Sequence, residues 1–138
     1  MKIKNAFTKI INEAKKNVID IPVCAMITKN DKIISIATNK REENNSTIAH
    51  AEILAIQEAN KKLNSWRLDD CDMYVTLEPC PMCAWAIINS RIKNLYFGSY
   101  DAKYGAFGSV INLQNLANSK INIFGGIEET QCNEILNN

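Results

Sequence analysis

Long apolar stretches are missing from this 138-residue chain, and no run approaches the roughly 18 consecutive apolar residues that would read as a membrane-spanning helix. A secretory leader is missing as well. The apolar residues of the first turns are scattered among Lys2, Lys4, Lys9, Lys15 and Lys16, with no small-residue cleavage site, so a cytoplasmic protein is expected. Charge of one sign is not in excess: 16 basic residues against 15 acidic ones give a net charge of +1, which does not announce a nucleic-acid partner. No repeat, low-complexity tract or Pro/Gly/Ser linker interrupts the chain, and residues 1–138 read as a single domain. The five cysteines are an odd count without a secretion signal, which argues against a disulfide framework. In a reducing compartment a close Cys pair more often means metal or redox chemistry.

What is present is ordinary for a soluble globular domain: 46% hydrophobic and 22% charged residues, in a chain long enough to bury a core. Charge is uneven along it. Five Lys face Glu13 alone in residues 1–16, whereas Glu128, Glu129 and Glu134 stand without Lys or Arg in residues 125–138. The first cluster reads as the solvated face of an amphipathic helix, with a phosphate-facing patch as the alternative. Ile3, Phe7, Ile10, Ile11 and Ala14 have helical spacing and place that helix over 3–17. A hairpin follows, with strands 22–28 and 32–38 about a Lys29-Asn30-Asp31 turn. Residues 39–47 form a polar loop, and Thr47 is the expected cap of a helix over 49–63. Further elements are a strand at 73–77, an apolar and buried helix over 81–89 with Pro81 in its first turn, and a strand at 92–98. A loop over 99–109, a short helix over 109–116, a strand at 121–124 and a last helix from Glu128 complete the chain. Strands alternating with helices imply a layered α/β sandwich, and the hairpin makes its sheet mixed.

Two short motifs carry the chemistry. In Pro79-Cys80-Pro81-Met82-Cys83, two thiols three residues apart at a helix start share a face and can reach one ion about 2.3 Å away. The helix N-terminus favours their thiolate form. The spacing alone also suits a redox pair. His50, the single histidine, sits in Ala49-His50-Ala51-Glu52 at another helix start, where a lone His is as readily a packing residue as a ligand. Together, His-x-Glu followed roughly thirty residues on by Pro-Cys-x-x-Cys matches the signature of zinc nucleobase deaminases. His50, Cys80 and Cys83 are then the zinc ligands, one Zn2+ per subunit, with a fourth position left for water. Glu52 leaves the helix in a different direction from His50 and is the expected proton shuttle.

Further runs extend the likeness: Trp66-Arg67-Leu68, Tyr74 to Cys80, Met82-Cys83-Ala84, Ser90-Arg91-Ile92, Phe97-Gly98 and the loop Asp101-Ala102-Lys103-x-Gly105-Ala106-x-Gly108-Ser109. Over roughly residues 5–132 the chain resembles the bacterial tRNA-specific adenosine deaminases, which convert the wobble adenosine of a tRNA anticodon to inosine. The resemblance implies a three-layer α-β-α sandwich of the cytidine deaminase type with a five-stranded mixed sheet. It also implies a homodimer that builds its RNA site from both subunits. Asn39 matches a family position that contacts the target purine, and Asp101 and Lys103 match positions near the anticodon backbone. From residue types alone, Asn39 is a turn residue. Tyr100, Lys103, Tyr104 and Phe107 put rings and a cation in one loop, suited to unpaired bases and phosphates or to packing against a dimer partner. The chain departs from the family at Ile48, at Cys24 and Met26, and in ending soon after Cys132 with an acidic, Asn-rich segment. These departures keep a deaminase of free bases or nucleosides, such as guanine or cytosine, as the competing expectation.

Overall fold

Period-two and period-3.6 patterning turn into strands and helices in the expected order in a computed structural model that describes residues 1–137. The elements are α1 (Ile3–Lys15), β1 (Cys24–Lys29), β2 (Lys32–Thr38), α2 (Ala51–Leu63), β3 (Cys71–Leu77), α3 (Pro81–Asn89), β4 (Asn94–Ser99), β5 (Asn122–Phe124) and α4 (Glu129–Leu136). The sheet runs β2-β1-β3-β4-β5. β1 is antiparallel to both β2 and β3, and β4 is parallel to β3 and β5. Asn30 and Asp31 both take positive φ, the geometry of a two-residue hairpin turn whose twist matches the strands it joins.

Alternation along the central strands sorts side chains into two cores. Ala25, Ile27, Met73, Val75 and Leu95 meet α2 and α3 through Ala51, Ala55, Ala59, Ala84 and Ile87. Cys24, Met26 and Tyr74 face the other way, onto Ala6, Phe7, Ile10 and Ile11 of α1 and Cys132 and Ile135 of α4. The result is a three-layer α/β sandwich with helices on both faces of a mixed sheet. On the α1 face, Tyr74, Tyr96 and Phe124 lie in register across β3, β4 and β5, and their rings stack at 5.0 Å in both steps. Gly98 lets α4 approach β4 closely, since a Cβ there would collide with the Cys132 sulfur. Among the described residues, no helix is long and apolar enough to cross a membrane.

The structure corrects several expectations. Ala6 takes the buried place on α1 that the spacing assigned to Ile3, which is exposed. Residues 109–116 are not helical: the N–H groups of Val110 and Ile111 both turn back to the Gly105 carbonyl, and that of Leu113 to Ala106. The only helical turn there is a 3-10 turn at Leu116–Asn118. Helix α3 is not buried all round, because Met82 and Trp85 are 37% and 40% exposed. Thr47 does not cap α2, which begins at Ala51 with His50 in the N-cap position.

Candidate active site

Cys80 follows the carboxyl end of β3, where parallel pairing with β4 opens a crevice at the strand ends, the usual ligand position in such sheets. Helices α2 and α3 both begin there. Their N-cap residues are His50 and Cys80, and neither side chain makes a capping hydrogen bond, so both are free to face the crevice. The amide at the start of α2 is served from a distance instead: Asn39 Oδ1 accepts the Ala51 N–H at 2.8 Å. Two helix N-termini aimed at one point favour anionic side chains between them.

His50, Cys80 and Cys83 converge so that their ligand atoms lie within 4.8 Å of one another. The atom of His50 that meets the sulfurs is Nδ1, 3.7 Å from Cys80 Sγ and 3.5 Å from Cys83 Sγ. A tetrahedral ion with ordinary zinc–nitrogen and zinc–sulfur bonds needs a nitrogen–sulfur edge of about 3.5 Å. The donor set and its spacing therefore fit zinc. The hydrogen bond from Cys83, outweighing burial, brings Cys80 down to about 5. That same bond, then burial, pushes the Cys83 thiol up. The pair shares one proton, with Cys80 as the thiolate.

Glu52, in the first turn of α2, is 5% exposed. Burial pushes its carboxyl up to about 7, with the Cys80 charge adding to the rise and hydrogen bonds from its own amide and Cys83 opposing it. A carboxyl poised near neutrality beside the His50–Cys80–Cys83 cluster suits a group that both takes and gives a proton.

The cluster opens into a cavity of about 650 Å³ lined by His50, Glu52, Cys80, Asn39, Asp101 and Tyr104, with Ile21, Arg41, Leu77 and Met82 among its other walls. Of the expected substrate-side residues, Asn39 and Asp101 line it. With its Oδ1 held by Ala51, Asn39 has its amide nitrogen left for a ligand. Asp101 turns one oxygen to the N–H groups of Lys103 and Tyr104, each at 3.0 Å, so its carboxylate also shapes its own loop. Lys103 does not line the cavity, and its ammonium lies 5.2 Å above the Tyr104 ring. Two residues escaped the sequence reading. Asp20 accepts the N–H groups of Glu42 and Glu43 and ties the loop after α1 to the loop after β2 at the cavity rim. Glu78 borders the cavity just past the end of β3; the sequence placed it in the family-like run Tyr74 to Cys80 but gave it no role.

Comparison with known proteins agrees with this geometry. The family model of MafB19-like deaminases matches residues 1–136. The chain is 42% identical over 130 residues to a tRNA-specific adenosine deaminase of Bacillus subtilis (strain 168), covering 91% of this chain and 81% of that one. It is 45% identical over 113 residues to a tRNA-specific adenosine deaminase of Aquifex aeolicus (strain VF5), covering 80% of this chain and 75% of the other. A structure from a study of A-to-I editing by tRNA:A34 deaminases at the wobble position of transfer RNA superposes with a TM-score of 0.90 and 34% identity. That match covers 96% of this chain and 99% of the other.

Proposed function

The chain belongs to the MafB19-like deaminases and, within them, to the tRNA-specific adenosine deaminases, and on that footing we propose that it hydrolytically deaminates adenosine to inosine at the wobble position of a tRNA anticodon. The observation that carries the reading is the meeting of His50 Nδ1, Cys80 Sγ and Cys83 Sγ at tetrahedral spacing in a cavity that Glu52 also lines. These three residues would hold zinc, which when bound would supply a Lewis acid that makes water nucleophilic near neutral pH. Glu52 takes a proton from the attacking water and passes it to a ring nitrogen of the purine. A carbon–oxygen bond forms at the amino-bearing carbon. Glu52 then takes the remaining proton from the newly added hydroxyl and delivers it to the amine, the carbon–nitrogen bond breaks as the carbonyl forms, and ammonia and inosine result.

Asn39 offers its free amide hydrogens to an acceptor on the base, and its own orientation is secured by Ala51. Tyr104 presents an exposed ring at the cavity, backed by the Lys103 ammonium, a pairing suited to an unstacked base next to phosphate. A loop substrate keeps the cost of flipping the target base low. Exposed Met82 and Trp85 on α3, with Met82 also lining the cavity, favour a homodimer formed beside the site. The test is inosine formation on anticodon stem-loops carrying A, C or G at the wobble position, with free adenosine and free guanine alongside. Inosine from the A-containing stem-loop alone supports the assignment. Turnover of a free base with none on the stem-loop overturns it.

A further inference from the structure

Glu78 is a buried ionisable group that this chemistry does not use. It is 1% exposed, yet it belongs to no ion pair found among the described residues. Its carboxylate is ringed instead by donors from a single loop. Oε1 accepts the Asp101 N–H at 3.1 Å and the Ser109 hydroxyl. Oε2 accepts the N–H groups of Phe107 and Ser109, both at 3.1 Å. Gly105 is pressed against the same group, since a Cβ there would lie 2.5 Å from Glu78 Cδ and Oε1 and from the Asp101 carbonyl. The loop is wrapped around this side chain as a backbone nest wraps a bound anion. The main chain adds to the attachment: the Glu78 N–H donates to Ser99 O at 2.8 Å, and the Ala106 N–H donates to Pro79 O at 2.9 Å.

The position of this attachment gives it a consequence for the site. Cys80 follows two residues after Glu78. Asp101, whose N–H is held by Glu78, in turn holds the amides of Lys103 and Tyr104. We propose that Glu78 is a positioning residue: it serves as a built-in anion that fastens loop 101–109 to the end of β3, so that the metal ligand Cys80 and the substrate-side residues Asp101 and Tyr104 keep one spacing. The proposal rests on the deaminase reading of the site. A carboxylate suits the task because it only accepts, and four donors converge on it. Glutamine has the same shape but turns one oxygen into a donor. The place where that costs least is Oε1, because the Ser109 hydroxyl can rotate to accept, whereas Oε2 faces two backbone N–H groups. The Asp101 amide is then the one that loses its acceptor.

The experiment compares wild type, Glu78→Gln and Ser109→Ala, all zinc-loaded, by metal content, amide hydrogen exchange and steady-state kinetics on the wobble-A stem-loop. Glu78→Gln keeps its zinc, exchanges the Asp101 amide at least about tenfold faster, and shows a KM raised roughly tenfold with kcat within about threefold, because the competent loop is only fractionally populated. Ser109→Ala, which leaves the charge in place, shifts KM in the same direction by a smaller factor. Unchanged Asp101 exchange and KM in Glu78→Gln overturn the proposal, as does a loss confined to kcat or to metal content. Should Glu78→Gln not fold, wild-type KM and wild-type loop exchange in Ser109→Ala overturn it. If the wild-type protein itself leaves the stem-loop unmodified, the functional reading fails while amide exchange still decides whether Glu78 fastens the loop.

Discussion

Replacing Glu52 by glutamine separates the two effects of burying a carboxyl beside His50, Cys80 and Cys83. The change keeps shape and volume but removes the ability to carry a proton. A positioned acid–base group contributes about 10² to 10⁴ in rate, and Glu52 is asked to act at both ends of the reaction, so turnover falls by roughly 10³ or more, about 4 kcal/mol in barrier. Stability moves the other way in the metal-free protein. Burial carries the carboxyl from 4.5 to about 7. A group whose folded value is raised is neutral in both states below about 4.5. Between that pH and about 7 it ionises more readily in the unfolded chain, so stability is lost as pH rises across this window. Each tenfold change in acidity is worth about 1.4 kcal/mol, which puts the loss above neutrality on the order of 3 kcal/mol. Metal-free Glu52→Gln is therefore more stable than wild type at about pH 8, with the gain shrinking towards about pH 4. Urea midpoints at the two pH values check the stability, and stem-loop turnover of the zinc-loaded protein checks the chemistry. Near-wild-type turnover would refute the role of Glu52. An equal stability difference at both pH values would refute burial as the cause of its raised value.

Two further outcomes follow from the thiols. Because the Cys83 thiol is pushed up while Cys80 is brought down to about 5, the metal-free pair holds one proton near neutrality, and zinc uptake as two thiolates must displace it. Zinc affinity rises about tenfold for each rise of one pH unit between about pH 6 and 8, with release of about one proton, measurable by chelator competition in weak buffer; a flat profile contradicts the shared proton. On the other face of the sheet, burial pushes Cys24 up from 9.0 to about 12 and Cys132 to about 11. Their raised values leave stability intact below about 9 and remove it as pH climbs towards the folded values. Cys24→Ala should soften the decline that sets in above about pH 9 and runs towards about 12 in urea melts, and an unchanged decline there rejects burial of Cys24 as a source of it.

Much of the architecture was legible because its signals are local. The turn at Asn30 and Asp31, Pro81 at a helix start, and the short β-type runs of β1 and β3 each need only neighbours a few residues away, and these elements appear within a few residues of their expected bounds. The expectations that failed depended on distant partners. Residues 109–116 carry helix-compatible side chains, but their amides are taken by Gly105 and Ala106. The consecutive apolar residues of α3 read as burial, yet among the described residues no element covers Met82 and Trp85.

The same division runs through the site. Residue type and spacing singled out His50, Cys80, Cys83 and Glu52, and the fold brings them together at one cavity, because a short motif at two helix starts fixes their positions. Spacing carried no information on which imidazole nitrogen faces the sulfurs, nor on the burial that brings Glu52 to about 7. It also could not show that Asn39 serves the first amide of α2, or that loop 101–109 closes around Glu78. Those facts depend on contacts between residues 12 to 33 positions apart in the chain, as in Asn39 to Ala51 and His50 to Cys83. Only packing of the layers removes the water that would otherwise satisfy these groups, and that removal selects their partners.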